Sequence, residues 1–206
     1  LHAAQIQGFF DIPVDNLYAS PIFALDILHQ IGGNMEVVMV VSPDVGGVGR
    51  ARELATRIGA PLSIVDKRRE KAGEVAGMTV IGDVSGKKCL IVDDIVDTAG
   101  TLCKAAEVLM EAGATEVQSY ISHGGRSGPA VERVEKSVMS SLVLTDTIAP
   151  TEAIHISSTS RTIPTAPMFA LAILYIWNGT SVSSLFDASS LVPIYESLYP
   201  KGMWGR

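Results

Sequence analysis

Three carboxylates, Asp93, Asp94 and Asp97, stand immediately before Thr98, Ala99, Gly100 and Thr101. A phosphate monoester needs several backbone N–H groups converging on it. A glycine-bearing turn that runs into a helix start provides them, together with a favourable dipole. The run therefore reads as a phosphate cradle that also holds a sugar.

The elements that must position this run lie on either side of it. Leu90, Ile91 and Val92 form the apolar run that a parallel sheet buries on both faces. Residues 102–112 (LCKAAEVLMEA) contain no proline and are rich in helix formers, and Gly113 sits where a C-terminal stop belongs. Ligands of parallel sheets lie outside the carboxyl ends of the strands, which is where Asp93 and Asp94 stand. Adjacent strand residues point to opposite faces, so at most one of the two can be fully directed at a ligand unless the chain is already turning. An isolated Asp-Asp pair more commonly caps a turn. The company of Asp97, Thr98, Gly100, Thr101 and a following helix favours the ligand instead.

Composition supports an α/β chain. Its 206 residues are enough for one large domain, or one domain and a partial second. Hydrophobic residues make up 47% and charged residues only 18%, an apolar balance that points to surface buried in a homo-oligomer. The longest nearly apolar stretch, residues 166–177, is shorter than the ~18 to 20 residues that span a bilayer, so no membrane partner is expected. Cys89 and Cys103 form no CxxC and no paired framework, and they read as small buried residues in a reducing, cytoplasmic compartment. The net charge is -6, yet residues 50–71 hold seven of the sixteen Lys and Arg against three acids. That local surplus suits a polyphosphate. Nucleic acid is the poorer reading, because no basic face is interleaved with stacking aromatics.

Along the chain, strands are expected at residues 36–42, 62–66, 79–81, around Leu90, at 116–122, 142–145 and near 153–156. Helices are expected at 48–58, 102–112, 128–135 and 167–177, the last apolar nearly all round and so buried or interfacial. Residues 67–77 (KRREKAGEVAG) read as a polar, glycine-punctuated loop, and the 79–81 strand as an antiparallel or edge strand. The alternation implies a parallel sheet with helices on both faces.

The Asp93–Thr101 order resembles the phosphoribosyl pyrophosphate loop of the type I phosphoribosyltransferase fold. Residues 1–15 (LHAAQIQGFFDIPVD) more narrowly resemble the signature of the ribose-phosphate pyrophosphokinase family. That likeness continues through VVSPDVGGVGRAR (40–52), IVDKRRE (64–70), SGPAVERV (127–134), LVLTDTI (142–148) and SVSSLF (181–186).

The resemblance implies a type I phosphoribosyltransferase-like domain over residues 1–186, with 187–206 as an extension of unknown role. It implies transfer of the β,γ-pyrophosphoryl group of ATP to the anomeric hydroxyl of ribose 5-phosphate, with Mg²⁺ as cofactor. His2 and Asp44 would be ligands of the Mg²⁺ that accompanies ATP. Asp93 and Asp94 would engage the ribose hydroxyls and a second metal ion, and Asp97, Thr98, Ala99, Gly100 and Thr101 the 5-phosphate. Lys67 and Arg69 would sit on a mobile loop that closes on the reacting phosphates. Gln7, Asp15, Asn16, Ser181, Ser183 and Phe186 would belong to an inter-subunit site where ADP inhibits and phosphate activates. Members of that family are built from two similar halves, and this chain reads as the carboxyl-terminal one. Two alternatives stand beside it: a catalytically silent, synthetase-associated regulatory subunit, and a transferase that consumes phosphoribosyl pyrophosphate.

Overall fold

In the computed structural model, which describes residues 2–68, 77–125 and 128–198, the apolar runs of the sequence become neighbouring strands. The strands are β1 (Val38–Ser42), β2 (Leu62–Arg68), β3 (Gly77–Ile81), β4 (Lys88–Val96), β5 (Glu116–Gly124), β6 (Ser141–Thr145) and β7 (Ser160–Ile163). They form one sheet in the order β3-β2-β1-β4-β5-β6-β7. Every pairing is parallel except β2 with β3, which is antiparallel and puts β3 at an edge. The chain runs outward from β1 through β2 to β3, then starts again at β4 on the other side of β1. The strand order thus reverses between β1 and β4, the position at which open parallel sheets form a ligand crevice.

Strand alternation divides the core into two layers. Met39, Val41, Cys89, Ile91, Val117 and Ile121 face one side. There they meet α3 (Gly100–Glu111), α4 (Gly128–Glu135) and the one-turn α5 (Glu152–Ile156). Val38, Val40, Leu90, Val92 and Tyr120 face the other side, against α1 (Ser20–Ile31), α2 (Val48–Ile58) and α6 (Ala166–Trp177). Helix α2 forms because Ala51, Leu54, Ala55 and Ile58 recur at helical spacing and supply its buried face. It ends at Gly59, whose φ of 70° only glycine adopts without strain. Among the described residues no helix is long and apolar enough to cross a membrane.

Several boundaries differ from expectation. Met35–Val37 is a 3-10 turn, so the first strand begins at Val38. Residues 153–156 are helical, not extended. Only Ile154 of α5 is fully buried, and the strand of this region is β7, which takes the edge of β6. Lys67 is not in a loop: β2 continues to Arg68, with Lys67 opposite Met78 of β3. Arg69 lies outside the described residues. Helix α6 buries Pro167, Met168 and Ala172 but leaves Phe169, Ile173, Leu174, Ile176 and Trp177 exposed. Beyond residue 186, Leu191 and Tyr195 of the α7 region (helix Val192–Leu198) are fully buried in the α1/α2 layer, and the Tyr195 hydroxyl donates to the Pro164 carbonyl at 2.7 Å.

Candidate functional site

Strand β4 runs through Asp93 and Asp94 to Val96, so the two carboxylates leave it on opposite faces. Asp93 lines a cavity of about 260 Å³ with Asp44, Lys67, Asp97, Thr98, Gly100 and Thr101. Asp94 lines a smaller one of about 80 Å³ with Tyr18, Arg50, Ser122, His123 and Thr147. The crevice at the strand ends is therefore two-chambered, one acid to each side. This is the geometry that strand alternation demanded, with the missing link supplied by Arg50. Its guanidinium lies 2.9 Å from Asp93 Oδ1 and 2.8 Å from Asp94 Oδ2.

The phosphate-loop residues expected from sequence do come together at the larger cavity. Ala99 has φ 59° and ψ 2°, the one non-glycine residue with positive φ among those described. That conformation costs an L-residue on the order of 1 to 2 kcal/mol and turns the chain abruptly into α3 at Gly100. No side chain caps the start of α3, and its first-turn N–H groups, which have no intrahelical partner, remain for an anion at the cavity wall. Arg133 of α4 donates to the Thr98 carbonyl, and the Gly125 N–H donates to the Val96 carbonyl at 2.5 Å. The loop is thus pinned from α4 and from the end of β5. Sequence reasoning missed both residues, although Arg133 lies inside the quoted SGPAVERV motif.

The electrostatics separate the two acids. Burial pushes the Asp93 carboxyl up to about 6, although the Asp94 N–H and Arg50 pull the other way. Burial also acts to raise Asp94, but His2 and Arg50 together outweigh it and hold that carboxyl below the usual range. His2 Nδ1 is 2.5 Å from Asp94 Oδ2. Asp44 instead accepts the Gly47 N–H at 2.9 Å and stands 3.6 Å from Lys67 Nζ across the cavity. The expected metal pair is thus divided: His2 serves the Asp94 side and Asp44 the Asp93 side. Among the described residues, no three His, Cys, Asp or Glu side chains converge in a way that could hold a metal. His123, a further residue not anticipated, points Nδ1 at Thr147 Oγ1 at 2.8 Å, and burial lowers its pKa.

Of the remaining candidates, Gln7 bonds the Ala4 carbonyl within its own 3-10 turn at 3.2 Å. Ser181 accepts the Ser183 N–H at 3.3 Å. Asp15 is exposed, whereas Asn16 and Phe186 are half-buried. The Phe186 ring lies 5.6 Å from that of Tyr18, which joins the segment after Asn16 to the 181–186 turn.

The pattern of the phosphoribosyl transferase domain matches residues 14–154, a span that holds the strand-order reversal, the acid pair and the uncapped start of α3. The chain belongs to the phosphoribosyl transferase domain family. Within it, the chain is 71% identical over 202 residues to a ribose-phosphate pyrophosphokinase of Cereibacter sphaeroides, covering 98% of this chain and 60% of that relative. It is 57% identical over 187 residues to the enzyme of the same name from Rhizobium meliloti, covering 91% of this chain and 60% of the relative. Among solved structures, phosphoribosylpyrophosphate synthetase from Mycobacterium smegmatis superposes with a TM-score of 0.77 at 34% identity, over 87% of this chain and 57% of that one. The chain therefore spans about 60% of the length of these two curated relatives.

Proposed function

We propose that this chain supplies the sugar-phosphate site of a ribose-phosphate pyrophosphokinase, in which the β,γ-pyrophosphoryl group of ATP passes to the anomeric hydroxyl of ribose 5-phosphate and AMP leaves. The observation that carries the reading is the cavity shared by Asp93, the Asp97–Thr101 loop, Asp44 and Lys67, which sets an anion cradle beside acids able to take sugar hydroxyls. Its support from relatives is the 71% identity to a ribose-phosphate pyrophosphokinase over nearly the whole chain.

In this reading Thr98, Thr101 and the first-turn amides of α3 hold the 5-phosphate, with Asp97 at the loop's entry. Asp93 accepts from the sugar hydroxyls and Asp94 completes the carboxylate pair. Lys67 projects from β2 into the cavity, where its ammonium can follow charge onto the transferring phosphates, and Arg69 extends the same cationic run. Phosphoryl transfer leaves little covalent work for a protein, so positioning and charge stabilisation are the tasks these residues perform.

Mg²⁺ is the cofactor this reading requires. The residues fit it: two carboxylates already converge on one cation, the Arg50 guanidinium, and a hard cation prefers oxygen donors. Mg²⁺ commonly takes one or two protein carboxylates and fills its sphere with water and substrate phosphates, so a complete protein cage is not needed. Asp93 and Asp94 would hold one ion; Asp44, on the Asp93 side, would be directed to the ion that comes with ATP, and His2 would join it only by leaving Asp94. Bound there, Mg²⁺ would neutralise phosphate charge.

The same reading assigns Gln7, Asp15, Asn16, Ser181, Ser183 and Phe186 to a site for ADP or phosphate between subunits of a homo-oligomer in the cytoplasm. The exposed apolar face of α6 favours burial in such an assembly. The test is a chimera in which this chain replaces the matching part of the Cereibacter sphaeroides relative. It should release AMP from ATP only with ribose 5-phosphate and Mg²⁺ present. No AMP at saturating substrates, together with no binding of ribose 5-phosphate by the chain itself in ³¹P NMR, overturns the proposal.

A further inference from the structure

The Arg50 guanidinium is paired with both Asp93 and Asp94. It sits in the first turn of α2 and reaches 43 residues along the chain to β4. Because Asp93 and Asp94 leave their strand on opposite faces, a single planar group can touch both only across the edge of β4, which is open past the end of β1 at Ser42. The guanidinium fork has the shape for that, with one nitrogen at 2.9 Å from Asp93 and the other at 2.8 Å from Asp94. The contact is open to exchange, since the Arg50 and Asp93 side chains are 31% and 29% exposed.

We infer that Arg50 is the resident counter-ion of the Asp93–Asp94 pair, a positioning residue that competes with the divalent cation and sets the site's affinity for it. This deepens the proposed function and rests on its reading of the two acids as cation carriers. A purely structural ion pair would act in the opposite sense. Its removal would loosen the carboxylates and weaken the metal or leave it unchanged. Removal of a competitor leaves two acids with unbalanced charge, and the metal binds more tightly. Arg50→Lys keeps the charge but meets only one carboxylate at a time, so it should fall between.

The experiment is a Mn²⁺ titration of the chain without sugar phosphate, read by the EPR signal of free Mn²⁺, on wild type, Arg50→Gln, Arg50→Lys and Arg50→Gln/Asp93→Asn. Arg50→Gln is expected to bind Mn²⁺ roughly tenfold more tightly, the low end of couplings between close charge pairs. Arg50→Lys should lie between it and wild type, and Asp93→Asn should abolish the gain. Should Arg50→Gln not fold, Arg50→Lys decides alone, and its affinity must rise. Binding to wild type that neither substitution strengthens overturns the inference and leaves the metal reading standing. Absence of Mn²⁺ binding from every variant overturns the metal reading, and the inference with it.

Discussion

Asp26 of α1 is wholly buried, and its carboxylate accepts hydrogen bonds from both terminal nitrogens of Arg161 on β7, 135 residues further along, at 3.0 and 2.5 Å. The Tyr120 hydroxyl of β5 donates to the same carboxylate at 2.9 Å, and the Arg161 guanidinium carbon lies 6.0 Å from the Tyr120 ring centre. Three elements are thereby fastened beneath the smaller cavity, whose wall includes Phe23, itself edge-on to Tyr120 at 5.4 Å. The network ties the sheet edge to α1 through one satisfied charge.

Breaking that network from one side should cost much more than removing it. Asp26→Ala leaves Arg161 largely buried without its partner, and a loss of roughly 3 to 5 kcal/mol is expected in urea unfolding. The double change Asp26→Leu/Arg161→Met should recover most of it, because a buried pair barely offsets its own desolvation. A single substitution costing under about 1 kcal/mol would show that the pair is idle.

Gly125 tests whether the phosphate loop is held in place from β5. A Cβ at this position would fall 2.7 Å from Asp97 Cα, a backbone atom that cannot swing away. Gly125→Ala should therefore displace the loop and weaken ribose 5-phosphate binding roughly tenfold, about 1.4 kcal/mol. Gly49→Ala, whose Cβ meets nothing within 4 Å inside α2, is the control and should leave binding unaltered while adding roughly 0.5 to 1 kcal/mol of stability. Equal affinity in calorimetric titrations of both variants would remove Gly125 from the site.

The strand, turn and helix around the acids were legible because each is signalled locally. Leu90, Ile91 and Val92 are apolar, Gly100 follows at once, and the α3 positions Leu102, Ala105, Ala106 and Leu109 keep a helical period. The Arg50 grip on Asp93 and Asp94 was not legible, since it exists only once α2 and β4 are packed. Helix α1 escaped for another reason: its buried face includes Ser20, Pro21 and the charged Asp26, which blur the apolar period. Residues 152–156 and 160–163 are too short for periods of 3.6 and 2 to be told apart, so the pattern does not separate the helix α5 from the strand β7.

Lys67 should matter for turnover more than for folding. It is half-buried in β2, and among the described residues its ammonium faces the Asp44 carboxylate at 3.6 Å across the cavity. In the chimera with the Cereibacter sphaeroides relative, Lys67→Ala is expected to lower kcat for AMP release by ~10²- to 10³-fold, the scale of losing one preorganised charge stabiliser. Unchanged kcat with altered thermal stability would instead make the Asp44 contact its whole role.

Cys89 gives the fold a pH dependence of definite sign. The thiol is fully buried in β4, and burial pushes its pKa up to about 12 from an ordinary value near 9.0. Between those two values the unfolded chain has released the thiol proton while the folded chain keeps it. The folded state then binds more protons, so stability falls as pH rises, by about 1.4 kcal/mol per unit for this one group. The slope fades as the pH falls through 9 and is gone well below it. Urea unfolding between pH 8 and 10.5 should show the decline in wild type and a shallower one in Cys89→Ala, with Cys103, also raised chiefly by burial, supplying part of what remains. Parallel pH profiles for the two proteins would mean that the Cys89 thiol ionises as readily in the folded chain as in the unfolded one.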